Sequence, residues 1–426
     1  MNKSLKKVLL VFPITSLVLV LFFANSCSNE IDVLFPQWSY APQTTALNYD
    51  QRSRMEGIYT VENGSDQFGS TVILQWTTKQ KNYLTVYTGK NFGYMVLQGG
   101  NLGDTTIYVQ GFWRYQNSAE TGLSQFRMTQ GADYVLNGTD STGITFSGTW
   151  GEGQGTSGNF VVFKFVRPIK PELLQNNYYI MNHHGDGGGA EYYPQTENTI
   201  EICKIIERYG ANSIAIDISI SKDGIPYLFH DEALTPRVTQ KGSLTGDPDD
   251  YTYKELYSFV RLLHGEHIPT LEATLDAIIT ETTLDFVYID CKGAYASTSA
   301  LSTAASIMQA ALDKAESLNN DVQIYLAITS DDIQNAFLQL PNYQDIPSIN
   351  ELSPEDVRTT GSEVWSPRFT LGTQNSDAAS LQAEGVQVIT WTVDLPILMT
   401  TYLYESSFDG MMTNYVNLLA YYYYGQ

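Results

Sequence analysis

The apolar residues of this chain change their spacing once, near residues 167–171, and that change divides the 426 residues into two parts. The prolines Pro168 and Pro171 mark the boundary. Before it, apolar and polar residues alternate in short runs between turn-forming residues, which is typical of β-strands. After it, apolar β-branched runs alternate with helical stretches, which is typical of parallel strands connected by helices. The sequence therefore predicts two domains of different fold class.

The part before the boundary, residues 55–168, is predicted to be an all-β sandwich or a small barrel. Its tryptophans Trp76, Trp113 and Trp150 have two interpretations: they either fill the core or form a sugar-binding surface. The core interpretation is favoured, because aromatic side chains suit strands in any case. A glycan contact through this domain stays the alternative. The clearest predicted strands are 71–76, 83–87, 106–109, 143–146 and 160–163.

The part after the boundary, residues 175–426, is predicted to be an α/β barrel of distorted TIM type. Eight strands in about 240 residues match the size of one (β/α)₈ barrel. Helices are predicted at 199–209, 271–280, 300–315 and 377–385. The predicted strands are 178–182, 213–219, 226–229, 286–289, 322–328, 364–365, 386–393 and 408–412.

One connection in this second part is too short for a parallel crossover. Ser219 and Pro226 are separated by six residues, whereas a crossover needs about a dozen or more, so the two strands must form a hairpin. A two-residue turn at Asp223 and Gly224 would place Asp217 directly opposite His230. A carboxylate and an imidazole would then meet on one face.

The amino-terminal 27 residues have the pattern of a bacterial lipoprotein signal peptide, and residues 28–54 that of a linker. Basic residues precede an apolar run at 8–23, and small residues lead into Cys27. A membrane-spanning helix is the alternative, but about 16 apolar residues are short for a span of about 20. Lipidation of Cys27 is therefore predicted, with a lipid anchor in the cell envelope. The protein is expected to be periplasmic or on the outer-membrane surface.

The overall charge excludes one class of partner. The chain carries 24 basic and 46 acidic side chains, and its formal net charge is −22. Such a charge repels nucleic acid and anionic membranes at long range, so no nucleic-acid partner is expected. Chemistry on a phosphate then requires a local positive centre. Cys203 and Cys291 are too few for a disulfide framework and are predicted to be buried thiols.

Polar residues capable of acid–base chemistry follow several predicted strands of the second part. The carboxyl ends of the strands in a (β/α)₈ barrel meet at one mouth, so these side chains are expected to lie together. Two imidazoles there could serve as general base and general acid on a phosphodiester. Carboxylate oxygens suit Ca²⁺ or Mg²⁺, which would neutralise a phosphate. The residues concerned are His183, His184, Asp217, His230, Asp231, Asp290, Lys292, Trp391 and Asp394.

At these residues the sequence resembles the glycerophosphodiester phosphodiesterase family. The matching stretches keep the order and approximate spacing of the family over about 240 residues, and together they are specific. They are His183-His184-Gly185, Glu197-Asn198-Thr199, Gly210-Ala211 leading to Asp217, Lys222-Asp223-Gly224, His230-Asp231, Ile268-Pro269-Thr270-Leu271-Glu272, Asp290-Cys291-Lys292, Trp391-Thr392-Val393 and Asp409-Gly410-Met411-Met412-Thr413-Asn414.

The resemblance implies a metal-dependent hydrolase that acts on a small-molecule phosphodiester and releases an alcohol and a phosphomonoester. It implies that the acid–base pair is His183 and His230. The metal ligands would be Asp217 and Asp290. The substrate contacts would be His184, Lys292 and Trp391, the last of them lining the mouth.

The chain departs from the family pattern at several of these positions. Ala215 stands where the family has the glutamate of a Glu-x-Asp pair, so a methyl group occupies a metal-facing position. His184 replaces an arginine that is always charged, and Asp290 replaces a glutamate. Residues 414–416, Asn-Tyr-Val, replace a usual Asp-x-Pro. The glycine-rich segment 185–191 offers Asp186 or Glu191 as replacement ligands, or is simply a solvated loop.

Three functional interpretations follow from these matches and departures. The first is an active phosphodiesterase acting outside the cytoplasm, which the intact histidine pair favours. The second is a catalytically impaired barrel that binds a ligand or a glycan, which Ala215 and His184 favour. The third is a phospholipase-like enzyme acting on inositol lipids, because that class also uses two histidines on a related barrel.

Overall fold

The computed structural model describes residues 43–77, 83–103, 105–139, 143–155, 158–175, 178–185 and 193–426. The predicted signal peptide with Cys27 lies outside these residues, and so do Asp186 and Glu191. Among the helices of the described ranges, none is long and apolar enough to cross a membrane.

In the described part of the chain, the first domain is a closed barrel of eight antiparallel strands. Each strand pairs with the next one along the chain, and the last pairs with the first, so the barrel has no open edge. The predicted small barrel, rather than the sandwich, is therefore correct. The strands are β1 Gly57–Glu62, β2 Thr71–Thr77, β3 Tyr83–Thr88, β4 Tyr94–Gly103, β5 Thr106–Arg114, β6 Thr121–Gln130, β7 Thr145–Trp150 and β8 Asn159–Arg167.

Aromatic side chains fill the interior of this antiparallel barrel. Trp76 and Trp113 are 3% and 1% exposed, and Trp150 packs edge-on against Trp113 and Phe68. The core interpretation of the tryptophans is confirmed for Trp76 and Trp113. Trp76 and Trp113 are therefore not available to a glycan, and the glycan contact through this domain stays a prediction.

The second domain is a closed barrel of eight parallel strands within the described residues, as predicted. Its first strand, β9, pairs with both the second and the last strand, which closes the barrel. A further strand, β11, pairs antiparallel with β10 outside the ring. The bounds are β9 Tyr179–Asn182, β10 Ser213–Ile220, β11 Pro226–Leu228, β12 Phe286–Cys291, β13 Gln323–Ile328, β14 Ser348–Asn350, β15 Val364–Trp365, β16 Gln387–Thr390 and β17 Gly410–Thr413.

The hairpin of β10 and β11 exists, but its predicted turn was wrong. Ser219 pairs with Tyr227, and the Ser221 amide donates to the Ile225 carbonyl, so the loop has three residues rather than two. Gly224 ends this loop with φ +80°, the left-handed conformation that a three-residue hairpin loop requires. The register is therefore shifted by one residue, and Asp217 is not directly opposite His230. The prediction also counted β11 as a barrel strand and overlooked β14.

Helices cover the outside of the parallel barrel and are defined locally by capping residues. Thr252 and Glu255 form a reciprocal capping box at the start of one helix, and Ser353 caps another just before Pro354. Three short α-helices belong to the antiparallel domain: α1 Tyr49–Ser53, α2 Ser65–Phe68 and α3 Ala132–Asn137. The other α-helices of the described residues are α4 Pro171–Gln175, α5 Ile200–Cys203, α6 Tyr253–Phe259, α7 Leu271–Glu281, α8 Thr298–Ser317, α9 Asp331–Phe337, α10 Pro354–Thr360, α11 Asn375–Ala383, α12 Pro396–Glu405 and α13 Val416–Tyr424.

One continuous apolar cluster joins the two barrels, and it is separate from the interior of each barrel. The ring of Tyr94 in β4 lies 5.1 Å from that of Tyr209, edge to face. The guanidinium of Arg208 lies 4.3 Å from the ring centre of Tyr83 in β3. Tyr87 of β3 stacks on Tyr424 of α13 at 6.5 Å. Such aromatic pairs add about 0.5–1.5 kcal/mol each beyond their buried area, so this interface is a strong one.

Candidate active site

The carboxyl ends of the parallel strands form the barrel mouth. Side chains alternate along each strand, and this alternation directs one polar side chain of several strands to the mouth. Apolar side chains such as Met181, Ala215, Tyr288, Ile349 and Ile389 fill the barrel interior. Residues two positions further along a strand point to the same side. These next residues, which form the polar layer of the mouth, are His183, Asp217, Asp290, Glu351 and Trp391.

His183 is oriented by a hydrogen-bonded relay. Its Nδ1 atom lies 2.9 Å from Oδ1 of Asn414, and the Asn414 Nδ2 group donates to Asp394 at 2.8 Å. Because the Asp394 carboxylate only accepts, the Asn414 amide must present its oxygen to His183. His183 therefore carries its proton on Nδ1 and keeps a lone pair on Nε2. This is the form that a general base requires.

His230 is oriented by a carboxylate. Its Nδ1 atom donates to Asp231 at 2.9 Å. Arg237 in turn binds Asp231 with two nitrogens, at 2.6 and 2.8 Å, and Glu197 at 2.6 and 2.7 Å. Charge-assisted bonds of this kind hold both partners in a defined geometry. The His230 ring is therefore fixed although its side chain is 40% exposed.

His184 lies between the other two histidines. Its ring centre is 4.0 Å from that of His183 and 5.2 Å from that of His230. The residue is 3% exposed, and Nδ1 has no hydrogen-bond partner among the described residues. Burial and the neighbouring His183 lower the pKa of His184 well below its usual value, so the ring is neutral. His184 therefore does not supply the positive charge of the arginine that the family pattern has at this position. The contact of His184 with a substrate stays a prediction.

Lys292 joins the two aspartates that were predicted as metal ligands. Its Nζ atom lies 2.8 Å from Asp217 and 2.7 Å from Asp290, while Asn198 donates to the other Asp217 oxygen at 2.8 Å. Burial alone would raise the pKa of Asp217, but the positive charge of Lys292 lowers it below its usual range, since the neutral His184 ring adds no charge. Burial, opposed by Lys292, raises the pKa of Asp290. The two carboxyl groups therefore share one ammonium group.

Two charged residues of the mouth were not found from the sequence. Glu351 follows β14, and its Oε1 atom accepts a 2.5 Å hydrogen bond from Tyr288. Burial, together with repulsion from Asp290, raises the pKa of Glu351 to about 8. Arg368 follows β15, and its guanidinium lies 5.1 Å from the ring centre of Trp391. Glu351 lies two residues after Ile349, a spacing that would place it at the mouth if β14 were predicted. The sequence pattern does not predict β14, and it therefore does not identify Glu351.

The described residues offer two groups whose possible ligand atoms lie within 4.8 Å of one another: His184 with Asp217 and His230, and Glu197 with His230 and Asp231. The predicted pair Asp217 and Asp290 meets through Lys292 instead. Carboxyl groups at the mouth outnumber the ammonium, and the pKa values of Asp290 and Glu351 are raised. This excess of negative oxygen donors fits a divalent cation.

An open cleft of about 870 Å³ lies beside these groups. Its polar lining includes His230, Asp231 and Lys292 together with acidic residues of the segment after β11. Trp391 lies apart from this lining and is half-buried, and its indole N–H donates to the Ser366 carbonyl at 2.9 Å. A small ligand in the cleft would therefore reach His230 and Lys292 directly.

A parallel barrel whose mouth combines oriented imidazoles, a lysine and several carboxyl groups has the arrangement of side chains that acid–base chemistry on a phosphate ester requires. The chain belongs to the glycerophosphoryl diester phosphodiesterase family, whose model matches residues 186–418, more than half of the chain. Members of this family are phosphoric diester hydrolases, and the family typically uses a divalent metal. The matched range begins just after His183 and His184.

Individual proteins similar to this chain carry the same name. A glycerophosphodiester phosphodiesterase of Bacillus altitudinis is 32% identical over 119 residues, which cover 26% of this chain and 44% of that protein. The chain therefore spans less than half of the length of that relative.

Two solved structures are also similar to this chain. One is a phosphodiesterase of Oleispira antarctica in complex with the product sn-glycerol-3-phosphate, at 17% identity and a TM-score of 0.44 over 56% of this chain and 94% of that one. The other, from Parabacteroides distasonis, is a glycerophosphodiester phosphodiesterase at 18% identity and a TM-score of 0.44, over 57% and 95%.

Proposed function

We propose that this protein hydrolyses glycerophosphodiesters, or related small phosphodiesters, to an alcohol and a phosphomonoester, with Ca²⁺ or Mg²⁺ as cofactor. One observation carries the proposal: His183 and His230 both contact the His184 ring, and each is held through Nδ1 by its own acceptor. Each therefore keeps Nε2 for a substrate. Two such groups at one mouth are what acid–base catalysis on a phosphodiester needs.

The surroundings of the two histidines suggest different roles. His183 has a lone pair on Nε2 and is suited to accept the proton of the attacking hydroxyl group or water. His230 lies beside the Asp231 carboxylate, which stabilises a positive imidazole, so it is suited to give a proton to the leaving alcohol. Lys292 has three N–H donors, of which Asp217 and Asp290 use two, and the third is available for a phosphate oxygen.

The candidate ligands of the divalent cation are Asp217 and Asp290. A cation held there would neutralise phosphate charge as a Lewis acid. The carboxylates would bind and orient it, and Lys292 limits their mutual repulsion.

The test is hydrolysis of glycerophosphocholine and of bis(p-nitrophenyl) phosphate by purified residues 28–426, with and without EDTA. We expect turnover that EDTA abolishes and Ca²⁺ or Mg²⁺ restores. His183→Ala and His230→Ala should each lower kcat by about 10²–10⁴-fold. His264→Ala is the matched control, because His264 is exposed and does not follow a strand of the parallel barrel. No turnover with any divalent ion, together with no change on His183→Ala, would overturn the proposal.

A second candidate is a binding protein without turnover, and Lys292 favours it. With Ala215 in place of an acid, its ammonium group already bridges the two aspartates, as a cation would. Equilibrium dialysis with radiolabelled glycerol phosphate, without any product formation, would support this candidate. Cleavage of phosphatidylinositol vesicles alone would instead support the phospholipase-like interpretation.

We also propose that Cys27 is lipidated and that the protein is anchored in the cell envelope, periplasmic or on the outer-membrane surface. The basic, apolar and small-residue segments that precede Cys27 support this proposal. Labelling of cells with a radioactive fatty acid should mark the wild-type protein and not Cys27→Ala. Equal labelling of both proteins would contradict it.

A further inference from the structure

The buried His184 side chain has a ring nitrogen without a hydrogen-bond partner among the described residues. This atom, Nδ1, lies 3.9 Å from Oδ2 of Asp217 and 3.8 Å from Oε1 of Glu197. Both distances are too long for a hydrogen bond. A buried polar nitrogen is costly to leave unsatisfied, so we expect a bound species between these groups.

His184 belongs to a group of three residues with possible metal-binding atoms. The group also contains Asp217 and His230, and these atoms lie within 4.8 Å of one another. Zn²⁺ binds nitrogen and oxygen ligands at about 2.0–2.2 Å, so two ligands of a tetrahedral zinc ion lie about 3.3–3.5 Å apart. The separation of 3.9 Å between His184 and Asp217 is close to this spacing. A small movement of the side chains would let both of them bind one ion.

We propose that His184, Asp217 and His230 form a site for a transition-metal ion of the Zn²⁺ type. Two imidazole nitrogens and one carboxylate oxygen are a ligand set typical of zinc, with the fourth position left to water. Ca²⁺ and Mg²⁺ prefer oxygen ligands alone. The arginine that the family pattern has at position 184 has no lone pair for a metal ion. The site therefore depends on the histidine that this chain has there.

The surroundings of His230 are those of a metal ligand. Its Nδ1 atom donates to Asp231 at 2.9 Å, which leaves the lone pair on Nε2. Metal-binding histidines almost always donate their other ring N–H to such an acceptor. A zinc ion bound to Nε2 of His230 would exclude the proton transfer proposed for this residue. Zn²⁺ would therefore inhibit the proposed hydrolysis.

Asn198 holds the other two ligands together. Its backbone amide donates to the His184 carbonyl at 2.8 Å. Its Nδ2 group donates to Oδ2 of Asp217 at 2.8 Å, and its Oδ1 atom accepts from the Asp217 amide at 2.9 Å. Lys292 binds the other carboxylate oxygen, Oδ1. Each carboxylate oxygen has two lone pairs, so Oδ2 can accept from Asn198 and bind an ion as well.

The second group of possible ligands, Glu197 with His230 and Asp231, is less suited to an ion. Arg237 already binds both acids through paired hydrogen bonds of 2.6–2.8 Å. Its guanidinium supplies the positive charge that a metal ion would bring. The group with His184 and Asp217 is therefore the one that we assign to the ion.

The experiment is isothermal titration calorimetry of metal-free residues 28–426 with ZnCl₂, without substrate. His184→Phe keeps an aromatic ring between His183 and His230 but removes the ligand nitrogen. We expect this variant to bind Zn²⁺ about 100-fold more weakly or worse, since even changes outside the ligand shell cost about 10–100-fold. His264→Ala is the matched control, because it removes an exposed imidazole outside the proposed site and should leave the affinity unchanged.

Co²⁺ provides a second measurement, which reports the ligands themselves. Co²⁺ bound in place of Zn²⁺ should give the visible absorption bands of an ion with few nitrogen and oxygen ligands. His184→Phe and His230→Ala should each remove these bands. If His184→Phe does not fold, His230→Ala tests the same site at a side chain that is 40% exposed.

A folded His184→Phe or His230→Ala variant that binds Zn²⁺ as tightly as the wild type would overturn the inference. So would a wild-type protein that binds no zinc, since a water molecule would then be the partner of the His184 nitrogen. These measurements involve no turnover, whereas the proposed hydrolysis is tested with Ca²⁺ or Mg²⁺ and EDTA. The failure of one proposal is therefore distinguishable from the failure of the other.

Discussion

The Nδ1 atom of His183 lies 2.9 Å from the side-chain oxygen of Asn414, and Asn414 is itself held by Asp394. The family pattern has an aspartate at position 414. In this chain Asn414 is neutral, so the nearest negative charge of the relay is that of Asp394, one residue further from the His183 imidazole. Asn414 keeps the orientation of His183 but does not stabilise its protonated form as a carboxylate would.

Asn414→Asp should change the pH dependence of catalysis. A carboxylate beside His183 would favour the imidazolium, so a general base at this position would stay protonated to higher pH. The acidic limb of the kcat/KM profile should then move to higher pH by about one pH unit or more. Profiles of the two proteins from pH 4 to pH 9 would measure this. An acidic limb that does not move would mean that His183 is not the base.

Lys292→Met should destabilise the protein in a pH-dependent way. Without the ammonium, Asp217 and Asp290 repel each other, and their folded-state pKa values rise above those of the unfolded chain. Carboxyl groups with raised pKa values are tolerated below about pH 4 and cost stability as the pH rises toward neutrality. We expect a loss of about 3 kcal/mol at pH 7, and a smaller loss at pH 5. Urea denaturation at both pH values would measure it, and equal losses would contradict it.

Gly210→Ala should weaken the interface between the barrels. Gly210 has φ +103°, and a Cβ atom there would lie 2.8 Å from the Tyr87 hydroxyl. We expect a loss of about 2–4 kcal/mol, from the left-handed backbone together with the contact. Gly224→Ala is the matched control, since it has φ +80° and nothing within 4 Å of the added atom. Equal losses of unfolding free energy for the two variants, measured by urea denaturation, would show that the Tyr87 side chain moves aside at little cost.

The thiols of residues 28–426 should be unreactive in the folded protein. Cys203 and Cys291 are buried and unbridged, and burial raises the pKa of Cys203 to about 12. At pH 8 the thiolate fraction then falls by about a thousandfold relative to an exposed cysteine. We expect no reaction with Ellman's reagent until urea is added, and then two thiols per chain. Rapid reaction without urea would indicate local opening around α5 or β12.

The sequence revealed those strands whose apolar runs are long enough to show a period. The runs of β10 and β12 each contain several β-branched residues and were recognised. Ser348–Asn350 contains one apolar residue between two polar ones, and its strand character comes from pairing with β13 and β15 alone. No local pattern could show that, and Glu351 was overlooked for the same reason.

The grouping of the imidazoles was predictable because it follows from motif order and barrel topology. The register predicted for the hairpin of β10 and β11 was wrong by one residue. His230 still reaches the site, because it lies beyond the paired part of β11. The contacts of Arg237 were not predictable. Arg237 belongs to the irregular segment after β11. Such a segment has no repeating pattern of residues, so its sequence does not show which acidic side chains Arg237 binds.

The apolar cluster that joins the two barrels, which includes Tyr87, Tyr94 and Tyr209, makes each barrel depend on the other. Separation of the two barrels would expose this broad aromatic patch to water and promote aggregation. A molecule bound to the antiparallel barrel would therefore also fix the direction in which the mouth of the parallel barrel faces.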